Sequence, residues 1–93
     1  MKVVHKFPIS VDLENTLDVH EGAQVLDIAI QNNQICVWVL HDLDQPKKSL
    51  KLIAQPTGIV LKEEHQHAIF VKTLHTWDFM PVLTYVLHYF RLP

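Results

Sequence analysis

Ninety-three residues with 48% hydrophobic and 19% charged side chains and only two glycines describe one domain, and they exclude a disordered or low-complexity chain. A domain of this size buries only about 60–65% of its unfolded surface, so the core is modest and the apolar excess suggests an interface. Eight Lys and Arg against ten Asp and Glu give a formal charge of −2, which supplies no basic field for a polyanion and argues against nucleic acid as a partner.

A single cysteine, Cys36, cannot make an intramolecular disulfide and fits a reducing cytoplasm. The opening MKVVHKFPIS has neither the long apolar core nor the small-residue cleavage site of a signal peptide. No run reaches the roughly 18 apolar residues that a spanning helix needs, so no membrane association is expected.

Along the chain, Lys2 to Ile9 alternates Val3, His5 and Phe7 with Lys2, Val4 and Lys6, a half-buried strand ended by Pro8, which cannot donate to a ladder. Thr16 to Val19 is a short second run, closed by the turn His20-Glu21-Gly22. The plan is clearest from Gln24 to His41. Two apolar runs, Val25 to Ile30 and Ile35 to Leu40, flank Asn32-Asn33, and Asn tolerates the positive φ of a two-residue type I′ turn.

Partners in such a hairpin keep a constant index sum, which sets 30 opposite 35, 28 opposite 37 and 26 opposite 39. One face then reads Leu26, Ile28 and Ile30 against Ile35, Val37 and Val39 and is the predicted core face. The other carries Val25, Asp27, Ala29 and Gln31 against Gln34, Cys36, Trp38 and Leu40. A face so mixed is either covered by another part of the chain or offered to a partner.

His41 to Lys48 reads as a loop, Leu50 to Gln55 as a strand, and Lys62 to His67 as an exposed polar segment. Ala68 to Leu74 is rich in branched and aromatic residues and reads as a strand, with Ile69, Val71 and Thr73 on one side and Phe70, Lys72 and Leu74 on the other. Val82 to Phe90 is apolar on both faces and reads as a central or intersubunit strand. A helix competes there, but β-branched and aromatic residues dominate. Six or seven short strands without a convincing helix predict an all-β fold, a small antiparallel sandwich or barrel built around the central hairpin.

The order of signals resembles a family of short phage and prophage proteins of unknown function. The resemblance rests on the opening Lys-Val-Val-x-Lys-Phe-Pro at Lys2 to Pro8, the Glu21-Gly22-Ala23 turn, Trp38 in the return strand of the hairpin, Thr57-Gly58, and a closing His-x-Phe at His88 to Phe90. It implies an all-β fold and a viral origin, hence the host cytoplasm as the place of action. It transfers no functional residue. His5 stands where the family pattern has tryptophan, and Lys62 to His67 is unusually rich in His and Glu.

Seven histidines are the compositional anomaly. His65 and His67, two apart, would point to one side of an extended segment and form half of a metal chelate if a third ligand folds nearby; exposed loop histidines are the plainer reading. Catalysis is not expected. Cys36 falls in mid-strand, Ser10 and Ser49 lie in no nucleophile elbow, and two glycines build no phosphate loop. No cofactor is implied.

For contact residues the sequence nominates Trp77, a tryptophan in a turn-like setting between Thr76 and Asp78, together with Trp38 and Asp27 on the mixed hairpin face. Lys47 and Lys48, with Lys51 or Arg91, are candidates for phosphate. The expected function is a non-enzymatic, homo-oligomeric phage protein that inhibits a host defence component by direct binding. A sponge for a small signalling nucleotide and a virion accessory or assembly protein are the alternatives.

Overall fold

Asn32 and Asn33 take φ values of 51° and 59°, the left-handed conformation that a type I′ turn demands. They join two of the seven strands found among the described residues. The computed structural model describes residues 1–76 and 86–93, with β1 at Lys2–Ile9, β2 at Glu14–His20, β3 at Gln24–Gln31, β4 at Gln34–Asp42, β5 at Lys47–Pro56, β6 at Ile69–His75 and β7 at Val86–Arg91. All pairings are antiparallel. β1, β4 and β3 form one sheet in that order, and β2, β5, β7 and β6 form the other. The sheets do not close into a barrel, so the sandwich is the architecture found.

Period-2 alternation explains which side chains meet between the sheets. Ile28, Ile35, Val37 and Val39 of the first sheet face Leu17, Val19, Leu50, Leu52, Leu74, Leu87 and Tyr89 of the second, all buried. Burial of each large apolar side chain stabilises the fold by about 1.5–3 kcal/mol. β7 lies inside its sheet, between β5 and β6, the central position expected of it. Residues 82–85 of the strand predicted there lie outside the described residues.

Four expectations need correction. The hairpin keeps the predicted register from Gln31↔Gln34 to Asp27↔Trp38 and then slips, because Val25 and not Leu26 pairs with Val39. Leu26 is the extra residue of a β-bulge and stands 47% exposed, while Val25 packs against the core. Constant alternation would have buried Leu26, and the bulge exchanges the two. β6 has the same irregularity between Phe70 and Lys72, so Phe70 does not share a face with Lys72 and Leu74. Both bulged strands are sheet edges, where bulges concentrate.

The His41 to Lys48 loop is shorter than its composition suggests, because pairing extends into it from both ends. Lys2 and Val3 pair with Asp42 and His41, and Val19 and His20 with Lys48 and Lys47. Lys62 to His67 is not uniformly exposed either. A 3-10 turn at Glu63–His65 tucks His65 under the chain at 7% exposure.

Candidate interaction face and histidine cluster

The register places the mixed hairpin face on the outside of the three-stranded sheet. Lys6 on β1 and Asp27 on β3 both pair with Trp38 on β4, so cation, indole and carboxylate form one row across the sheet. Val4, Leu40 and Gln24 form the next row, and Pro8, Cys36 and Ala29 the row on the other side. Trp38 and Leu40 are half-buried, and Val4 and the bulged Leu26 are exposed. Among the described residues, no strand or turn packs over these rows.

Two polar contacts brace the face. The Lys6 ammonium donates to Gln31 Oε1 at 2.7 Å, and Cys36 on the same outer face is buried. The Lys72 ammonium of β6 reaches the Asp27 carboxylate at 2.8 Å, across the adjoining edges of the two sheets. The Cys36 sulfur lies 3.5 Å from the Gln34 carbonyl and is closed to solvent.

A second constellation lies at one end of the sandwich. His41 continues the inward row Ile35, Val37, Val39 by one step and is 4% exposed. His5 stands on the inner face of β1, opposite Val39 and so diagonal to His41. His20 ends β2 in the other sheet. Ring centroids are 5.0 Å apart for His5 and His41, and 5.1 Å for His20 and His41. His5 Nδ1 lies 2.9 Å from His41 Nε2, the His20 backbone N–H donates to His41 Nδ1 at 3.1 Å, and His20 Nδ1 lies 2.6 Å from the Gln45 carbonyl oxygen.

Burial, with the nearby His5, His20 and Lys47, holds His41 below the ordinary histidine value of 6.5. His41 also lines a cleft of about 220 Å³ together with Lys2, Glu21, Gly22, Gln24 and Asp42. A type II turn builds one wall: Ala23 N–H donates to the His20 carbonyl and Gly22 takes a φ of 83°, open only to glycine at low cost. Beside it the N-terminal ammonium at 2.6 Å and the Asp44 backbone N–H at 3.0 Å hold the Asp42 carboxyl below its usual range.

The remaining nominated residues separate. Trp77 lies outside the described residues. Lys47 and Lys48 alternate to opposite faces of β5: Lys47 is 3.3 Å from Asp18 on the outer side, whereas Lys48 lines a cleft of about 50 Å³ with Arg91, Ser49 and Gly22. Lys51 is 3.4 Å from Glu14.

The chelate geometry considered for His65 and His67 required an extended segment. Here His65 closes a 3-10 turn and His67 follows in a turn, and His65 is buried while His67 is exposed. Among the described residues no group of three His, Cys, Asp or Glu side chains is arranged to hold a metal ion.

The cluster of His5, His20 and His41 is what sequence reading missed. The signal was present, because His5 and His41 both fall on inward positions of their strands. Ending the strand at Leu40 hid it. His88 is likewise bracketed, by the Thr57 and Thr73 hydroxyls at 2.8 and 3.0 Å. Neutral hydroxyls on both nitrogens do not activate an imidazole as a carboxylate would, and the contacts fasten the 57–58 turn to β7 and β6.

The model of a family described as a domain of unknown function, DUF7352, matches residues 1–93. No curated protein and no solved structure matches the chain.

Proposed function

Since the chain belongs to the DUF7352 family, whose function is unknown, we propose its function from its own surface: a non-enzymatic binding protein that grips a partner protein with the outer face of the three-stranded sheet. The observation that supports this is the Lys6, Trp38, Asp27 row, an aromatic anchor between opposite charges on a face with no cover among the described residues. Three strands about 4.8 Å apart and eight residues long offer roughly 350 Å². A stable interface takes about 800 Å² per partner, so the partner continues over an edge. Among the described residues β1 is the open edge beside this face, and it suits strand addition by the partner or by a second copy in a homo-oligomer. The target class follows from the resemblance to phage proteins: a host defence component, bound in the host cytoplasm.

The test is affinity capture from host lysate on the tagged full chain. One host protein retained in stoichiometric amount by the natural chain, and lost with Trp38→Ala and with Leu26→Lys, supports the reading. Leu26→Lys changes an exposed bulge residue and spares the core. Capture of nothing specific, or equal capture by both variants, overturns it.

The nucleotide sponge is a second reading, favoured by one observation: Lys48 and Arg91 line the same small cleft, while Lys47 and Lys51 are each spent on a carboxylate. Native mass spectrometry of chain purified from its host decides it, since a retained ligand mass supports the sponge and a bare protein mass removes it.

A further inference from the structure

The bonding of His41 leaves no choice of proton positions. A backbone N–H can only donate, so His41 Nδ1, which receives the His20 amide, carries a lone pair. The ring proton of neutral His41 is therefore on Nε2 and is donated to His5 Nδ1, 2.9 Å away, which must be unprotonated in turn. A carbonyl can only accept, so His20 Nδ1 carries the proton given to Gln45. His20 has its Nε2 left over for a second proton. The His5 and His41 pair has none to spare, because a proton added between the rings removes the acceptor of their mutual bond, and one added to His41 Nδ1 faces the His20 N–H.

We propose that the His20, His41, His5 chain is a proton-operated latch that holds the end of β2 against the inner face of the three-stranded sheet and releases it in mildly acidic conditions. Its parts come from both sheets, His5 and His41 from β1 and β4 and His20 from β2. The first element freed is the His20 to Ala23 turn, which forms a wall of the 220 Å³ cleft. The charged groups facing the latch are Lys2 on β1, Glu21 in the turn, Asp42 on β4 and Lys47 on β5. Asp42 is occupied by the N-terminal ammonium, and Lys47 by Asp18.

The direction of the effect follows from linkage. His41 is held below 6.5 by burial first and by the nearby His5, His20 and Lys47 second. The unfolded or opened chain thus takes up the proton before the closed one. The latch is at full strength above about pH 6.5 and weakens as pH falls from there through the closed-state value.

The experiment is an NMR titration of the full-length ¹⁵N-labelled chain from about pH 8 to about pH 5. At the upper end the His41 ring should show a bare Nδ1 and a protonated Nε2, with a slowly exchanging His20 amide. Through the titration, His20 and the following turn should lose protection about tenfold beyond the intrinsic pH effect on exchange, the factor one buried hydrogen bond is worth. His41→Asn leaves an oxygen to receive the His20 N–H but cannot take a proton, and its protection should be flat over the same range. His67→Asn, outside the latch, should behave as the natural chain. A His41 that protonates with His20 protection unchanged, or a His41→Asn chain as pH-dependent as the natural one, overturns the proposal. Should the variant not fold, the titration of the natural chain decides alone.

Discussion

Replacing Val25 or Leu26 by Asn separates the bulged hairpin from the regular one. In the bulged register Val25 packs on the core and Leu26 stands 47% exposed. Val25→Asn removes about 1.5 kcal/mol of apolar burial and forces an amide into a site without partners, at about 1–3 kcal/mol. Because Val25 is half-buried, a total of about 3 kcal/mol is expected, a large share of the roughly 5–14 kcal/mol available to a chain of this length. Leu26→Asn should cost less than about 1 kcal/mol, since the amide stays in water. With an m-value of about 1.5 kcal/mol/M, the urea midpoint falls by about 2 M for the first variant and by well under 1 M for the second. Constant alternation predicts the reverse order. A larger drop for Leu26→Asn than for Val25→Asn would refute the bulge and the assignment of Leu26 to the outer surface.

Three further outcomes are expected. Tyr89 is fully buried, and its hydroxyl has no hydrogen-bond partner among the described residues, so Tyr89→Phe should leave the core intact and raise the urea midpoint by the equivalent of about 1 kcal/mol. Burial pushes the phenol up from 10.0 to about 12. The unfolded chain loses that proton first, so stability should fall between about pH 10 and about pH 12 in the natural chain, and denaturation curves of Tyr89→Phe should lack this tyrosine's share of the fall. A double-mutant cycle on Asp27 and Lys72, whose side chains are 48% and 39% exposed, should give a coupling below about 1 kcal/mol that vanishes in high salt; a larger, salt-independent coupling would mean that the pair itself fastens the sheet edges.

Much of the fold was legible because its determinants are local. Asn32-Asn33 sets the hairpin turn, and the alternation in β1 and β4 puts Val3, His5, Phe7, Ile35, Val37 and Val39 on the faces where they are found. The site was legible only in part. The mixed face with Trp38 opposite Asp27 followed from the index sum, since the register up to Asp27 is regular. Lys47 and Lys48 were read as loop residues, whereas both lie in β5, where strand neighbours point apart. His65 was misjudged because one helical turn, without a sequence signature strong enough to announce it, replaces an extended segment.

What the sequence by itself determined is the class of protein: an all-β domain organised on one hairpin, with an inner aliphatic face and an outer face unsuited to plain solvation. Those properties depend on turn chemistry and on a period of two, both readable over a few residues. Tertiary structure alone decided where each alternation breaks and which distant residues meet. A bulge inserts one residue without a compositional mark, yet it exchanges Val25 for Leu26 in the core. The meeting of His5, His20 and His41 needs β1 to pair with β4 and the end of β2 to close over them, contacts between positions 21 and 36 residues apart whose geometry no local pattern encodes.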